Sequence, residues 1–326
     1  MNCLVTGGAG FIGSHVCEIL LRTGNRVISV DNFNDLYTPA YKRENISEVT
    51  HTAKALGAGF RSVEGDIRDI SLLESVFNEN KPDTVLHLAA CAGVRPSIAD
   101  PLLYASVNIM GTINMLECVK RHGVKSFVFA SSSSVYGNNE TIPYSEADAA
   151  DQPISPYAAT KRAGELLCHT YSHLYKVNTA CLRFFTVYGP RQRPDLAIYK
   201  FVKLISEGRS VPFFGDGSTE RDYTYIDDIS EGVLKAAYWT TEGSGKYAIF
   251  NLGESQTISL TEMVTVLEET LGKRAVLDRQ PLQPGDVKRT CADISSAAQI
   301  LGYAPKTSFP EGIRQFVRWY NKKRIN

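Results

Sequence analysis

The sequence has no excess of charge of either sign. Lys and Arg together number 35, and Asp and Glu also number 35, so the formal net charge of the 326-residue chain is zero. Proteins that bind nucleic acid or anionic membranes usually carry a basic surface, so neither partner is expected. Basic pockets for small anions are compatible with this balance. The chain also lacks internal repeats, and its length suits one large domain or two moderate ones with a substantial core.

The cysteines and histidines lack the spacing of disulfide frameworks and metal sites. The seven cysteines are scattered, odd in number and form no C-x-x-C pair, and several lie in apolar runs. This pattern predicts buried, reduced thiols of a cytoplasmic protein. No metal site is predicted, and His87 in LHLAA is interpreted as a hydrogen-bonded core residue.

Long apolar segments are also scarce. No secretory leader is expected, because a strand and a glycine loop begin within the first ten residues. No apolar run approaches the ~20 residues that span a bilayer. The sequence therefore predicts a soluble protein without a membrane partner.

Short apolar runs alternate with helical patterns through the first half of the chain. NCLVTG, NRVISVD, GFRSVEGD, PDTVLHLAA and KSFVFASSS are interpreted as strands, and their nearly continuous apolar character is typical of parallel strands buried on both faces. This alternation predicts an α/β fold with a Rossmann-type doubly wound parallel sheet.

Beyond about Arg183 the loops become longer. We predict a Rossmann domain over residues 1–182 and a smaller C-terminal α/β substrate domain over residues 183–326, whose segments near 222–252 can return to the main sheet. The helical patterns of this second part fall near residues 196–207, 227–240, 259–271 and 310–324.

A glycine-rich loop follows the first predicted strand. In LVTGGAGFIGSH, Gly7, Gly10 and Gly13 stand three residues apart between a strand and a helix, which lets a pyrophosphate approach the helix N-terminus closely. Asp31 ends the second strand, where a carboxylate accepts hydrogen bonds from ribose hydroxyls and repels a 2′-phosphate. Together these features predict an NAD site, with NAD favoured over NADP. Its further predicted contacts are Phe11, Ile12, Asn32, Asp66, Ile67, Leu88, Ala89, Ala90, Tyr157 and Lys161.

Tyr157 and Lys161 lie four residues apart in SPYAATKRAGE, so both side chains face the same side of the predicted helix. A phenol has a pKa near ~10 in isolation. We expect a neighbouring ammonium and the positive nicotinamide ring to lower this pKa, so that Tyr157 can take a proton from a hydroxyl while hydride moves to NAD. A Tyr-x-x-x-Lys pair alone is weak evidence. Behind a dinucleotide loop and the hydroxyl-bearing strand end SSSSVYG, it predicts an oxidoreductive site.

Segments spread over nearly the whole chain carry a resemblance to a known family. They are TGGAGFIG, HLAACAGVRPS, SSSSVYG, SPYAATK, LRFFTVYGPRQRPDLA, GDGSTERDYTYIDDI and PLQPGDVKRTCAD. The chain resembles the extended short-chain dehydrogenases/reductases, and among them NAD-dependent nucleotide-sugar epimerases, most closely UDP-glucuronate 4-epimerases. The resemblance implies a homodimer, tightly bound NAD, and a catalytic set formed here by Ser132, Tyr157 and Lys161. It also implies that residues 1–182 bind NAD and residues 183–326 bind the UDP-sugar.

The stretch SSSSVYG carries hydroxyls where related enzymes carry acids. In 4,6-dehydratases of this superfamily an Asp–Glu pair stands at the positions of Ser133 and Ser134, and UDP-glucuronate decarboxylases usually have Glu at the Ser134 position. A carboxylate there would repel a substrate carboxylate, whereas neutral hydroxyls can donate hydrogen bonds to it. Ser132, Ser133 and Ser134, with Thr186 of RFFTVYG, are therefore predicted to contact an anionic sugar. Hexose-type epimerases often have Asn in place of Thr186.

Two arginines of GPRQRPD, Arg191 and Arg193, are candidates to bind the sugar carboxylate, because Arg forms two parallel hydrogen bonds with this group. The resemblance favours Arg193, and a solvated loop Arg is the alternative. The resemblance also assigns Arg221 to the UDP pyrophosphate, Asp286 to the uridine ribose and Arg95 to the substrate.

Other functions are compatible with the same motifs. They fit an epimerase of neutral UDP-hexoses or a UDP-glucuronate decarboxylase, although Gln283 stands where UDP-galactose 4-epimerases usually have Arg. A non-catalytic protein that binds NAD or a UDP-sugar is a further alternative, because a fold does not imply a function. The intact Ser–Tyr–Lys set argues against it.

Overall fold

The computed structural model describes residues 1–282 and 287–325. Its strands are β1 (Asn2–Thr6), β2 (Arg26–Asp31), β3 (Phe60–Glu64), β4 (Thr84–His87), β5 (Ser126–Ser132), β6 (Asn178–Phe184), β7 (Thr186–Tyr188), β8 (Ser210–Phe214), β9 (Glu220–Arg221), β10 (Tyr223–Tyr225), β11 (Tyr247–Leu252), β12 (Ile258–Ser259) and β13 (Val276–Gln280). Its helices are α1 (Phe11–Arg22), α2 (Pro39–Leu56), α3 (Ile70–Asn80), α4 (Val94–Ala99), α5 (Pro101–Tyr104), α6 (Gly111–Arg121), α7 (Pro156–Tyr175), α8 (Ala197–Ser206), α9 (Ile226–Thr240), α10 (Leu260–Leu271), α11 (Ser295–Leu301) and α12 (Phe309–Ile325). Ala105–Met110 form a π-helical turn between α5 and α6, and Ser133–Tyr136 form a 3₁₀ turn after β5.

A seven-stranded sheet forms the centre of the fold. Its order is β3-β2-β1-β4-β5-β6-β11, and each neighbouring pair is parallel. The order reverses between β1 and β4, and such sheets bind ligands beyond the carboxyl ends of the strands at this reversal. The predicted Rossmann-type doubly wound sheet is confirmed.

Helices cover both faces of the sheet, as buried parallel strands require. All residues of β5 and β6 are buried. One apolar cluster includes Leu20 of α1, Val202 of α8 and Phe316 of α12. The other includes Phe77 of α3 and Leu116 of α6. The apolar runs of the sequence are therefore strand interiors packed between two helical layers.

The second half of the chain adds a strand to the sheet and builds short ladders of its own. β11 pairs with β6 at the sheet edge. β7 pairs with β10 and β8 with β13 in parallel, and β9 pairs with β12 in antiparallel fashion. The helices predicted near 196–207, 227–240, 259–271 and 310–324 are present as α8, α9, α10 and α12. The predicted domain division at 182/183 falls within β6 and stays a prediction.

One helical stretch corrects an expectation from the sequence. Pro101–Arg121 is, by length and composition, long and apolar enough to cross a membrane, although no such run was expected. Polar residues such as Asn108 and Thr112 interrupt the stretch, so the sequence shows no continuous apolar run there. Both are buried and hydrogen-bonded inside the fold. Half of its most apolar window is buried within the protein, as is common for a helix that packs on a sheet.

The seven thiols are all buried, and none forms a disulfide. His87 is the predicted core residue, because its Nδ1 lies 2.8 Å from Thr6 Oγ1 and its Nε2 3.1 Å from Thr112 Oγ1. Within residues 1–282 and 287–325 there is no group of three or more His, Cys, Asp or Glu placed to hold a metal ion.

Candidate active site

A cavity of about 390 Å³ lies beyond the carboxyl ends of the strands. Its walls come from the loop after β1, from the ends of β2, β4 and β5, and from the segment after β6. These are the positions at which the sheet order predicts a ligand. A second cavity of about 520 Å³ lies at the amino ends of β4 and β5, between Lys81, Asp83 and His122. None of the predicted site residues that the structure describes lines it, so the first cavity is the candidate site.

The glycine loop forms one end of this cavity. Gly7 has a φ of 73°, and a Cβ at this position would lie 2.8 Å from the backbone nitrogen of Ala89. A Cβ on Gly13 would overlap the Gly7 carbonyl oxygen. Helix α1 begins directly after Gly10 without a side-chain cap, so the free N–H groups of its first turn face the cavity end. Free N–H groups at a helix start favour an anion, of which a pyrophosphate is one.

Asp31 lies at the end of β2, at the cavity wall. Its carboxylate accepts hydrogen bonds from the N–H groups of Ala9 and Phe33 at 3.1 and 2.9 Å. Burial is the main cause that raises its pKa, and these hydrogen bonds and the Lys42 ammonium oppose the rise. The carboxylate is therefore fixed in position at the place where a ribose hydroxyl is expected.

The remaining predicted cofactor contacts divide into two groups. Asp66 lies outside the cavity lining and holds Asn32 in place, because Asn32 Nδ2 donates to its Oδ2 at 3.1 Å. Hydrogen bonds from Arg68 lower the pKa of Asp66 to about 2. The other predicted contacts line the cavity directly. They are Phe11, Ile12, Asn32, Ile67, Leu88, Ala89 and Ala90.

Helix α7 places Tyr157 and Lys161 at the opposite wall. The helix begins after Ser155, whose side chain accepts a hydrogen bond from the N–H of Ala158. Lys161 Nζ donates to the carbonyl oxygen of Ala130 at 2.7 Å and lies 6.0 Å from the centre of the Tyr157 ring. Burial lowers the pKa of Lys161 to about 8.

The pKa of Tyr157 differs from the expectation drawn from the sequence. Burial raises it, while the Ser132 hydroxyl and the positive charge of Arg193 act to lower it. The protein alone therefore does not give the lowered pKa that was expected. Arg193 is a cation that acts to lower the pKa of this phenol, an effect that the sequence did not indicate.

The four hydroxyls of SSSSVYG have different surroundings. Ser131 also lines the cavity, but its Oγ donates to Glu165 Oε1 of helix α7 at 2.6 Å. Ser132 lines the cavity beside Tyr157 and donates to Ser134 Oγ at 3.0 Å. Ser133 and Ser134 are half-buried in the following turn and lie outside the described cavity lining. Thr186, after β6, lines the cavity.

The two candidate arginines are clearly distinguished. Arg191 has a positive φ of 64°, and its side chain forms ion pairs with Glu18 of α1 and Glu48 of α2. It joins the loop to the Rossmann helices and does not line the cavity. Arg193 lines the cavity and pairs with Asp195.

Two predicted substrate contacts, Arg95 and Arg221, lie outside the cavity lining. Arg95 is exposed on α4, and Arg221 in β9 donates to the Glu220 carbonyl oxygen at 2.8 Å. Asp286, like Gln283, lies outside the described residues.

Besides Ser131, sequence reasoning missed four polar residues of the cavity wall, Asn34, Tyr37, Lys42 and Asp195. Lys42 is 5 % exposed, and its Nζ donates to Asn34 Oδ1 at 2.8 Å. Its only signal in the sequence is a lysine within a helical pattern, which is common. Asp195 follows Arg193 by two residues, and this close spacing of opposite charges could have indicated it.

The family model of GDP-mannose 4,6 dehydratase matches residues 4–316. The chain belongs to this family. Among its curated relatives, UDP-glucuronate 4-epimerase 4 of Arabidopsis thaliana is 45% identical over 98% of this chain and 75% of that protein. The resemblance to extended short-chain dehydrogenases/reductases and nucleotide-sugar epimerases is confirmed.

Two solved structures extend this family comparison. UDP-glucuronic acid 4-epimerase of Bacillus cereus, in complex with UDP-glucuronic acid and NAD, has 36% identity and a TM-score of 0.91, with 99% of this chain and 100% of that chain covered. UDP-glucose 4-epimerase of Thermotoga maritima, with UDP-glucose, has 34% identity and a TM-score of 0.89, with the same coverage. The family member described here thus shares its fold with epimerases of both acidic and neutral sugars.

Proposed function

We propose that this protein is a UDP-glucuronate 4-epimerase, which interconverts UDP-glucuronate and UDP-galacturonate through a transient 4-keto sugar. The main support for this proposal is that Tyr157, a candidate base, and the largely buried guanidinium of Arg193 line the same cavity. UDP-sugar 4-epimerisation is the reaction named for the relative and the structural neighbours. The acidic sugar is the finer part of the proposal.

The cavity fits NAD as the resident cofactor. Because Gly7 and Gly13 have no side chains, a pyrophosphate can come close to the backbone there. The buried carboxylate of Asp31 can accept hydrogen bonds from a ribose. When bound, NAD supplies the hydride acceptor that oxidises C4 and then returns the hydride to the sugar. The carboxylate of Asp31 is expected to exclude the 2′-phosphate of NADP.

We assign the proton transfer to Tyr157. Its phenol would accept the proton of the C4 hydroxyl and later return it. General-base catalysis of this kind typically increases a reaction rate ~10²- to 10⁴-fold. The Ser132 hydroxyl and the Arg193 charge favour the phenolate against the cost of burial. Lys161, bound to the Ala130 carbonyl, keeps an ammonium on the same helix face.

We assign the sugar carboxylate to Arg193 and Thr186, with Ser132. Oxidation at C4 gives a ketone β to the C6 carboxylate, and such a compound loses carbon dioxide when the C5–C6 bond aligns with the carbonyl π system. Hydrogen bonds that hold the carboxylate away from this alignment would preserve the uronate. Ser133 and Ser134 lie in the turn beyond the cavity lining. We propose that they contact the sugar at the rim of the cavity.

The remaining assignments follow the resemblance. We propose that Arg221 and Asp286 bind UDP and that Arg95 contributes to substrate binding. We also propose that the protein works as a homodimer in the cytoplasm, where its buried thiols stay reduced.

One observation favours an alternative, a 4-epimerase of neutral UDP-hexoses. Arg193 is paired with Asp195, so the cavity already compensates its cation and can accept an uncharged sugar. The Thermotoga neighbour is named for such a substrate.

NMR of product mixtures tests the proposal. Purified protein is incubated separately with UDP-glucuronate and UDP-glucose, without added reductant. We expect UDP-galacturonate from the first, at a rate at least tenfold above that of UDP-galactose formation from the second. The reverse ratio would assign the neutral alternative, a pentose product would assign a decarboxylase, and no turnover of either would leave a binding protein.

A further inference from the structure

The guanidinium of Arg193 has a carboxylate partner within the protein. Nε lies 3.0 Å from Oδ1 of Asp195, and Nη2 lies 2.7 Å from Oδ2. This two-point contact is the geometry that guanidinium and carboxylate groups prefer. It engages the same kind of N–H pair that a substrate carboxylate would require.

The two partners differ in their freedom to move. The Arg193 side chain is 14 % exposed, whereas that of Asp195 is 49 % exposed. The loop that carries them is anchored by the ion pairs of Arg191 with Glu18 and Glu48, and Gln192 donates to the Val187 carbonyl. The cation is therefore held at the cavity, and the half-exposed Asp195 carboxylate is the partner that can turn toward solvent when another anion takes its place.

A largely buried guanidinium needs a counter-ion, because an uncompensated buried charge is strongly destabilising. Asp195 meets this need in the protein alone. A uronate carboxylate could meet the same need, but two carboxylates at one two-point site would repel each other. Binding of an acidic sugar therefore requires that Asp195 gives up at least part of its contact.

We propose that Asp195 is an exchangeable counter-ion of Arg193, displaced by the carboxylate of an acidic sugar, and that it limits the preference of the site for acidic over neutral UDP-sugars. This inference rests on the proposed function, in which Arg193 binds the uronate. Asp195 lowers the affinity for uronates by competing with them, and it leaves the affinity for neutral hexoses nearly unchanged. It therefore acts as a specificity-determining residue.

The test measures binding apart from turnover. In a Tyr157→Phe background, which blocks conversion, titration calorimetry gives Kd for UDP-glucuronate and for UDP-glucose. Asp195→Asn keeps the size of the side chain but removes its charge, and Asp195→Ala removes the contact altogether. Glu207→Gln is the matched control, because Glu207 pairs with Arg209 two residues away on the exposed surface.

We expect both Asp195 variants to bind UDP-glucuronate about 3- to 10-fold more tightly, a range set by the modest strength of partly exposed ion pairs. Kd for UDP-glucose should stay within twofold, and the control should match the parent for both sugars. Weaker binding of UDP-glucuronate would make Asp195 a residue that holds Arg193 in position and would overturn the proposal. Equal shifts for both sugars, or no shift, would overturn it as well.

Turnover of the unmodified protein separates this inference from the proposed function. If the wild type converts only neutral sugars, the proposed function fails whatever the Asp195 variants do. If the wild type converts UDP-glucuronate and the variants show no gain for that sugar, only the role of Asp195 fails.

Discussion

At the scale of single residues, the candidate base is a phenol whose pKa is raised by burial and lowered by Ser132 and Arg193. Tyr157→Phe keeps the ring and removes the proton acceptor. We expect kcat for UDP-glucuronate to fall by ~10² to 10⁴, with Kd unchanged by calorimetry. Tyr171→Phe, a phenol on the same helix that donates to Glu117, should keep kcat within twofold. Near-normal turnover in Tyr157→Phe would assign the base to another group.

The buried ammonium of Lys161 leads to a prediction about pH and stability. Burial lowers its pKa from the usual 10.5 to about 8. Between these values the unfolded chain holds a proton on this residue that the folded protein has lost, so the free energy of unfolding rises with pH across this window. The full rise is on the order of 3 kcal/mol.

Lys161→Met removes this titration and serves as the reference. Urea unfolding of both proteins at pH 7.5 and at pH 10 gives the difference between their stabilities at each pH. We expect the wild type to gain relative to the variant at the higher pH. An unchanged difference would show that the ammonium is not held at a lowered pKa.

At the scale of elements, successive turns of α7 contact the end of β5. Tyr157 lies beside Ser132, Lys161 donates to Ala130, and Glu165 accepts from Ser131. The last contact is reinforced from β6, because Arg183 donates to both oxygens of Glu165 at 2.8 and 2.9 Å. Glu165 and Arg183 are at most 1% exposed. This buried pair fixes the register between the helix of the candidate base and the strand of the hydroxyls.

Glu165→Gln tests this pair by leaving Arg183 buried without its counter-charge. We expect the free energy of unfolding to fall by about 3–5 kcal/mol, as for other broken buried ion pairs. Glu311→Gln removes an acid from a surface pair with Arg314 on α12 and should give no measurable change in urea unfolding. Similar small effects in both variants would contradict a special role for the Glu165–Arg183 pair.

The elements that the sequence predicted are those with local signals. The apolar runs of β1, β2, β4 and β5, the glycine spacing after β1 and the Tyr157–Lys161 spacing each lie within a dozen residues. β9 and β12 have two residues each, which is too short for any periodicity. β6 is fully buried but was not predicted as a strand. It contains Arg183, near which the regular alternation of strands and helices in the sequence ends.

The candidate site shows the same limit at finer detail. Asp31 and the glycines could be located because each ends or follows a strand. The pairs Ser131/Ser132 and Arg191/Arg193 could not be resolved, because neighbours in sequence face different partners and those partners are distant in the chain. Glu18 and Glu48, which bind Arg191, lie more than 140 residues before it. Only the fold shows that Arg193 rather than Arg191 lines the cavity, and that Ser131 and Ser132 both line it while the Ser131 hydroxyl is bound to Glu165.

At the scale of the whole molecule, large apolar side chains are exposed on neighbouring helices. Leu102 of α5 is 80% exposed and Met110, just before α6, is 53% exposed, while Leu166 and Leu174 of α7 are 55% and 58% exposed. α5 and α6 both pack against α7. About half of the apolar stretch Pro101–Arg121 is thus buried in the core, and the other half contributes to an exposed apolar surface. Such surfaces commonly mark protein interfaces.

The homodimer implied by the resemblance would cover this surface with a second copy of the same helices, since two-fold interfaces are self-complementary. We expect light scattering at micromolar concentration to give twice the chain mass of 35.9 kDa. Leu102→Glu combined with Leu166→Glu places charges in the interface and should give the monomer mass. Leu56→Glu, at a 48% exposed leucine on α2, is the control and should stay dimeric. A wild type of monomer mass would refute the dimer, and a double variant that stays dimeric would place the interface on another face, because a carboxylate buried without a partner is too costly for an apolar contact to tolerate.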